Sequence, residues 1–364
     1  MKKDTATIRD VAREAGVSVA TVSRYINKNG YVSESTLKKV KQVMEELNYH
    51  PNEIARGLAR KRTNTIALVI PDITNPFFPE LVVSIEKVAK EKGYRLILIN
   101  SDEESILSSI FWRSLESRYT DGLILASFQF NDSVLKELNG MNIPYVRIDR
   151  AADISSADSI GIDNYKGARL AVSHLIEIGC KNIAHISGPP TFQPSLERLK
   201  GYKDELAEKG VNYVPVILEG DFSLESGKAL TEKLLSEHPD IDGIFLANDM
   251  MAIGSLKILK QLGKNVPEEI AIIGFDGIKL AEMVDPEIST IEQPIYDIGV
   301  LATSRLINMI ENNHTLDGDF QLDVCLVKRE STLGFKKKNM NRSADLHKED
   351  CHLNLDELCE INLT

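Results

Sequence analysis

Four places in the sequence set polar or aromatic side chains just after a short apolar run. Asn75-Pro76-Phe77-Phe78 closes "IALVIPDITNPFF", Asp149-Arg150 follows "YVRI", Asn248-Asp249 follows "GIFLA", and Asp276 follows "IAIIGF". Carboxylates and amides accept from and donate to neighbouring hydroxyls, a guanidinium balances the carboxylates, and phenyl rings cover the flat face of a ring-shaped ligand. None of the four presents a second carboxylate as an evident catalytic partner, so the set suits holding a polyhydroxylated molecule better than transforming one. The chain has no GxxxxGK[ST] loop, no strand-linked GxGxxG, no GxSxG elbow and no HExxH pair. An α/β enzyme acting on sugars or nucleotides therefore has no motif in its favour.

The elements that must position these residues form a repeating series from Thr65 onward. Short runs "TIALVI", "YRLILIN", "DGLILA", "PYVRID", "NIAHISG", "VPVIL", "DGIFLAN" and "EIAIIGFD" alternate with amphipathic stretches at 79–92, 164–179, 196–209, 224–237 and 250–262. Continuous apolar runs are what parallel strands buried on both faces look like, so the series predicts a doubly wound α/β arrangement. Ligands bind beyond the carboxyl ends of strands in such sheets, which is where the four polar sets fall. About nine strand–helix units exceed one comfortable sheet, and two similar lobes follow. The expected partition is a core over 63–335, with one lobe about 63–160 and 293–320 and the other about 161–292 and 321–335.

The chain has 364 residues, 43% of them apolar, and a net charge of -11. That charge is divided unevenly. Residues 1–62 hold 13 Lys/Arg against 7 Asp/Glu, net +6, which leaves 30 against 47, net -17, for the remainder. A basic module on an acidic body fits a nucleic-acid binder. No apolar run approaches membrane length, and Met1-Lys2-Lys3 leads into polar sequence rather than a signal core, so a cytoplasmic location is expected. Cys180, Cys325, Cys351 and Cys359 form no CxxC pair, and unpaired thiols without disulfide, metal or cofactor are expected.

"TIRDVAREAGVSVATVSRYIN" gives the basic module its form. Ile8, Val11, Ala12 and Ala15 recur at helical spacing, Gly16 breaks the helix, and Ser18 caps a second helix with Val22 and Ile26 inward. This is a helix-turn-helix, whose second helix is free to enter a major groove. A third helix from Ser33 through Leu37, Val40, Val43, Met44 and Leu47 closes a small core, and the head spans 1–50. Then "PNEIARGLARKR" follows over 51–62, with Asn52 as a helix cap and Ile54, Ala55 and Leu58 on one face. The stretch before the basic run Arg60-Lys61-Arg62 is only about eight residues, shorter than the roughly 12–15 that an isolated helix needs in water.

The run "ATIRDVAREAGVSVATVSRYIN", followed by "YVSESTLKKVKQVMEELNYHPNEIARGLA", resembles the DNA-binding head of the lactose/galactose repressor family over the whole first 60 residues. The resemblance implies that Val19, Ala20 and Arg24 face base edges and that Ser18, Thr21, Ser23, Asn27 and Tyr31 hold phosphates. It further implies that 51–62 is a hinge, helical only when paired with its twin on pseudo-palindromic operator DNA, with Asn52, Ala55 and Leu58 at the minor groove. Leu58 would be the wedge that unstacks a central base step. Gly57 stands where relatives more often carry a larger residue, implying a looser hinge.

The body, to about residue 335, is similar to two-lobed sugar-binding proteins and to ribose-type repressors. "PDITNPFFPEL", "GYRLI", "NSDEE" and "KNVPEEI" carry that likeness. It adds Arg198, Phe222 and Gln293 to Asn75, Phe77, Phe78, Asp149, Arg150, Asn248 and Asp276 as effector-binding residues. The implied function is a homodimeric repressor released from DNA when a sugar such as ribose closes the lobes. A catabolite-control type of regulator, governed by a phosphorylated partner protein, is the alternative within the family. Phe111-Trp112 are open to either subunit contact or packing against the sheet, and the tail over 336–364 is expected to be disordered.

Overall fold

Thr7 starts the first helix through a reciprocal cap: its hydroxyl accepts from the Asp10 amide, and the Asp10 carboxylate accepts from the Thr7 amide at 3.0 Å. The helices of the head are α1 (Ile8–Glu14), α2 (Val19–Asn27) and α3 (Glu34–Glu46). Gly16, at φ 61°, turns the chain between α1 and α2, a conformation cheap only for glycine. Ser33 caps α3 by accepting from the Thr36 amide. Val11, Ala12, Ala15, Val22, Val40 and Val43 are buried together, with Ile8, Val17, Tyr25, Ile26, Met44 and Leu47 packed against them. Small β-branched residues and alanines suffice because three short helices enclose little volume.

The computed structural model describes residues 6–27, 29–50, 62–101, 106, 108–117, 120–126, 132–141, 143–148, 158–210, 214–312 and 319–335. The chain divides into two compact units, Met1–Asn64 and Thr65–Thr364. In the second unit the order is β1 (Thr65–Ile70), α4 (Phe77–Glu91), β2 (Arg95–Asn100), α5 (Ser109–Ser117), β3 (Gly122–Ala126), α6 (Asp132–Gly140), β4 (Tyr145–Ile148) and β5 (Asp158–Ile162). It continues through α7 (Asn164–Ile178), β6 (Ile183–Ser187), α8 (Gln193–Glu208), β7 (Val216–Glu219), α9 (Leu224–Glu237), β8 (Gly243–Leu246) and α10 (Asp249–Gln261). The last elements are β9 (Ala271–Asp276), a 3₁₀ turn at Lys279–Glu282, β10 (Ser289–Glu292), α11 (Ile295–Asn312), β11 (Asp319–Leu322) and β12 (Cys325–Val327).

These strands form two six-stranded sheets, ordered β11-β5-β4-β3-β1-β2 and β12-β10-β9-β8-β6-β7. Every described pairing is parallel except β10 with β12. The chain passes from the first sheet to the second after β5, returns after β10, and crosses again between Leu322 and Cys325. The central strands β1, β3, β8 and β9 are buried along their whole length, which is why their sequences are unbroken apolar runs. β5, β10, β11 and β12 were not among the apolar runs of the sequence. They are short and partly polar, and pairing with a neighbouring strand makes them strands.

Helix contacts follow from residue size. A Cβ added at Gly227 of α9 would lie 2.2 Å from the Met251 carbonyl oxygen, and one at Gly254 of α10 would lie 2.1 Å from that of Leu224. The two helices therefore touch backbone to backbone. Trp112 is buried, donates from Nε1 to the Ile106 carbonyl at 2.7 Å, and meets the Phe111 ring edge to face at 5.0 Å. It packs with Ala67, Val69, Leu123 and Leu125, so this aromatic pair belongs to the core. Cys180 is a free buried thiol. Cys325, by contrast, is disulfide-bonded, which departs from the expectation of unpaired thiols, because a pairing without a CxxC spacing leaves no local signal.

Two histidines lie inside the second lobe. His174 Nε2 sits 2.8 Å from Thr332 Oγ1, and His185 Nδ1 donates to the Phe245 carbonyl at 2.9 Å while its ring stacks on Phe245. Burial lowers each from 6.5 to about 4, with Lys328 contributing at His174. The unfolded chain thus gains protons below about 6.5 that the fold refuses until about 4, so stability is complete above that range and lost as pH falls through it. The expected slope is about 1.4 kcal/mol per pH unit for each histidine. Urea midpoints measured between pH 7 and pH 5 should fall, and should fall less in a His174→Asn/His185→Phe variant.

Candidate functional site

In the head, α2 presents its N-terminal end. Ser18 accepts from the Thr21 amide at 3.1 Å and lies 2.9 Å from Thr21 Oγ1, so both hydroxyls are partly engaged in the cap. Val22 is buried, whereas Val19, Ala20 and Arg24 are exposed. An exposed valine and alanine beside a guanidinium match what thymine methyl groups and a guanine edge require. Ser23 and Asn27 bond to each other at 3.1 Å, and Tyr31 is 90% exposed in the loop before α3. Asn52, Ala55 and Leu58 lie outside the described residues, as do Asp149 and Arg150.

In the body, the second sheet gathers most of the described effector candidates around one guanidinium. Arg198, from the second turn of α8, is 5% exposed and lies flat over the Phe275 ring at 3.6 Å. Its Nε donates to Asn164 Oδ1 at 2.9 Å, its Nη1 donates to the Ala247 carbonyl, and the Asp276 carboxylate is 3.8 Å away. Gln293 donates from Nε2 to Asp276 Oδ1 at 2.7 Å, and its backbone amide bonds to the Asp276 carbonyl at 3.1 Å. That bond fixes the orientation of the Gln293 amide and leaves its Oε1 buried without a partner. Such an acceptor calls for a ligand hydroxyl or a water.

Asp276 has φ 113°, outside the region an L side chain prefers, at a cost of about 1–3 kcal/mol. Phe222 is also left-handed, at φ 67°, and its ring meets Phe192 edge to face at 6.0 Å. Asn248 spends its side chain on structure: Oδ1 caps α10 at the Met251 amide, 2.9 Å, and Nδ2 donates to the Phe222 carbonyl at 3.0 Å. It thereby ties the Phe222 loop to the start of α10.

At the end of β1, Asn75 Oδ1 accepts from the Phe77 amide at 3.1 Å. Phe77 and Phe78 are each 5% exposed and meet edge to face at 5.2 Å within the core of the body. Two further residues take part. Asn164 follows β5, whose short and partly polar sequence DSIGI carries no strand signal of its own. Asp249 is adjacent to Asn248 after β8, and only distant residues bury its carboxylate fully, which is held by Thr290 Oγ1 at 2.6 Å and by the Gly277 and Ile278 amides at 2.8 and 2.9 Å. Burial and the neighbouring Asp276 push that carboxyl well above the usual range, against the pull of its three donors. No cluster of His, Cys, Asp or Glu able to hold a metal occurs among the described residues.

Both the head and the body resemble known proteins. Residues 63–330 match the periplasmic binding proteins and sugar binding domain of the LacI family, and residues 7–52 match the bacterial regulatory proteins of the lacI family. The ribose operon repressor of Halalkalibacterium halodurans is 42% identical over 90% of this chain and 97% of its own. Catabolite control protein A of Priestia megaterium is 40% identical over 90% of this chain and 99% of its own. A LacI family transcriptional regulator from Enterococcus faecium, solved with bound ribose, aligns with a TM-score of 0.68 and 30% identity over 75% of this chain and all of that one. The chain belongs to the LacI family of bacterial transcriptional regulators.

The left-handed backbone at Asp276 gives a test of the site's strain. Asp276→Gly and Asp276→Ala both remove the carboxylate, but only glycine tolerates the backbone. Asp276→Gly is expected to be the more stable by about 1 kcal/mol in urea unfolding.

Proposed function

We propose that the protein is a homodimeric, cytoplasmic repressor that binds operator DNA through its head and is released by a small sugar, ribose or a related sugar, held in the body. The observation that carries the sugar reading is the pairing of Asp276 with Gln293, which sets a carboxylate beside a buried amide oxygen that has no protein partner. Both accept, so the ligand must donate from neighbouring hydroxyls. Support for DNA reading comes from the exposed Val19, Ala20 and Arg24 on a capped second helix. One such head reads half a site, and two heads on a dimer read a pseudo-palindrome.

The mechanism is a shift of populations. Sugar favours a closed arrangement of the two lobes, and segment 51–62 transmits that choice to the heads. A coupling of about 1–3 kcal/mol changes operator affinity roughly 5–150-fold. The similarity to catabolite control protein A favours a second reading, in which a phosphorylated partner protein sets DNA affinity in place of a sugar.

One titration separates the two. Fluorescently labelled DNA from upstream of the protein's own gene is bound at fixed salt, with a panel of free pentoses, hexoses, their phosphates, or a phosphorylated carrier protein added. Ribose or a close relative should weaken binding within the range above. No response to any sugar, with a response to the carrier, would replace the first reading by the second. Leu58→Ala should weaken DNA binding about tenfold or more through loss of the wedge, while calorimetric sugar affinity stays unchanged.

A further inference from the structure

Asp249 occupies the first position of α10, where a carboxylate normally serves its own helix from the surface. Here Asn248 already supplies the cap, and Asp249 is fully buried. None of its three donors belongs to α10: Thr290 lies on β10, while Gly277 and Ile278 form the turn that leaves β9. Space for the carboxylate is provided by Gly274, where a Cβ would stand 2.2 Å from Asp249 Oδ1. A buried carboxylate costs too much to be kept for packing alone, and its partners show what it serves.

The two amides it holds directly follow Asp276. Asp276 and Gly277 are left-handed in succession, at φ 113° and 79°. A non-glycine residue stays in that conformation only when its surroundings over-determine it. Gln293 holds Asp276 from one side through its backbone and side-chain amides, and Asp249 holds the next two residues from the other.

We infer that Asp249 is a positioning residue for effector recognition: it pins the Gly277–Ile278 turn, so that Asp276 keeps its left-handed backbone and presents its carboxylate beside Gln293 and Arg198. The inference rests on the proposed sugar site and deepens it, since Asp249 itself touches no ligand. Acceptor geometry, rather than charge, is what the turn needs. In Asp249→Asn the amide oxygen can accept from both Gly277 and Ile278, while the Thr290 hydroxyl reverses and accepts from the new NH₂. Asp249→Ala leaves both amides without a partner.

The test uses the full chain, D-ribose as the probe in calorimetry, and hydrogen exchange of the 274–282 segment in the sugar-free protein. Asp249→Ala should lower ribose affinity about tenfold or more and speed exchange in that segment alone, with binding to the DNA upstream of its gene retained. Asp249→Asn should restore affinity to within about threefold and restore slow exchange. Thr290→Val removes one hydroxyl without changing shape, should cost about threefold, and replaces Asp249→Ala should the latter not fold. Unchanged exchange, or ribose affinity equal to that of the parent in Asp249→Ala or, should that not fold, in Thr290→Val, would overturn the inference, as would an equal loss in Asp249→Ala and Asp249→Asn. If the parent protein takes up no ribose, the sugar reading fails, and the exchange measurement still decides whether Asp249 holds the turn.

Discussion

A guanidinium that is only 5% exposed must find its partners inside the protein, and much of the second lobe is arranged around that need. Arg198 reaches from α8 to the start of α7 at Asn164, to the end of β8 at Ala247, and to the end of β9 at Phe275 and Asp276. The charge can be buried because a ring lies beneath it and a carboxylate stands beside it. The contact also fixes where three strand and helix ends stand relative to one another. The left-handed turn at Asp276 and the cap at Asn248 lie on the rim of this arrangement, so local strain there is supported from several sides.

The same arrangement leaves the described carboxylates and imidazoles of the second lobe engaged in structure. A general base needs a carboxylate or imidazole free to reach a substrate proton. Asp249 is fully buried and already has three donors, and Asp276 is engaged by Gln293 and Arg198. His174 and His185 are inside the core, neutral at ordinary pH, and bonded to Thr332 and to the Phe245 carbonyl. Gln293 Oε1, by contrast, is a buried acceptor without a protein partner, a group that can accept from a hydroxyl but cannot take its proton.

The head shows a different balance. Its core is built from valines and alanines on three short helices, and capping by Thr7, Ser18 and Ser33 supplies part of the order. Each cap contributes on the order of 1 kcal/mol, a large share for so small a core. Packing fixes the inward face of α2 at Val22, whereas Val19, Ala20 and Arg24 are exposed on the same helix.

Whatever depends on neighbours in sequence was legible before the fold was known. Helical spacing, the break at Gly16 and the caps at Ser18 and Ser33 are local, and each is where the residues place it. β1, β3, β8 and β9 announce themselves because strands covered on both faces must be apolar throughout. Tertiary structure alone decided the rest. β5, β10, β11 and β12 exist because a partner strand supplies their hydrogen bonds, and Asn164 could not be recognised at the site until β5 was. The division of labour between Asn248 and Asp249, adjacent and alike in sequence, is set by groups that arrive from β9 and β10. The sequence determined which residues could recognise hydroxyls; long-range packing decided which of them were already spent on holding the chain in place.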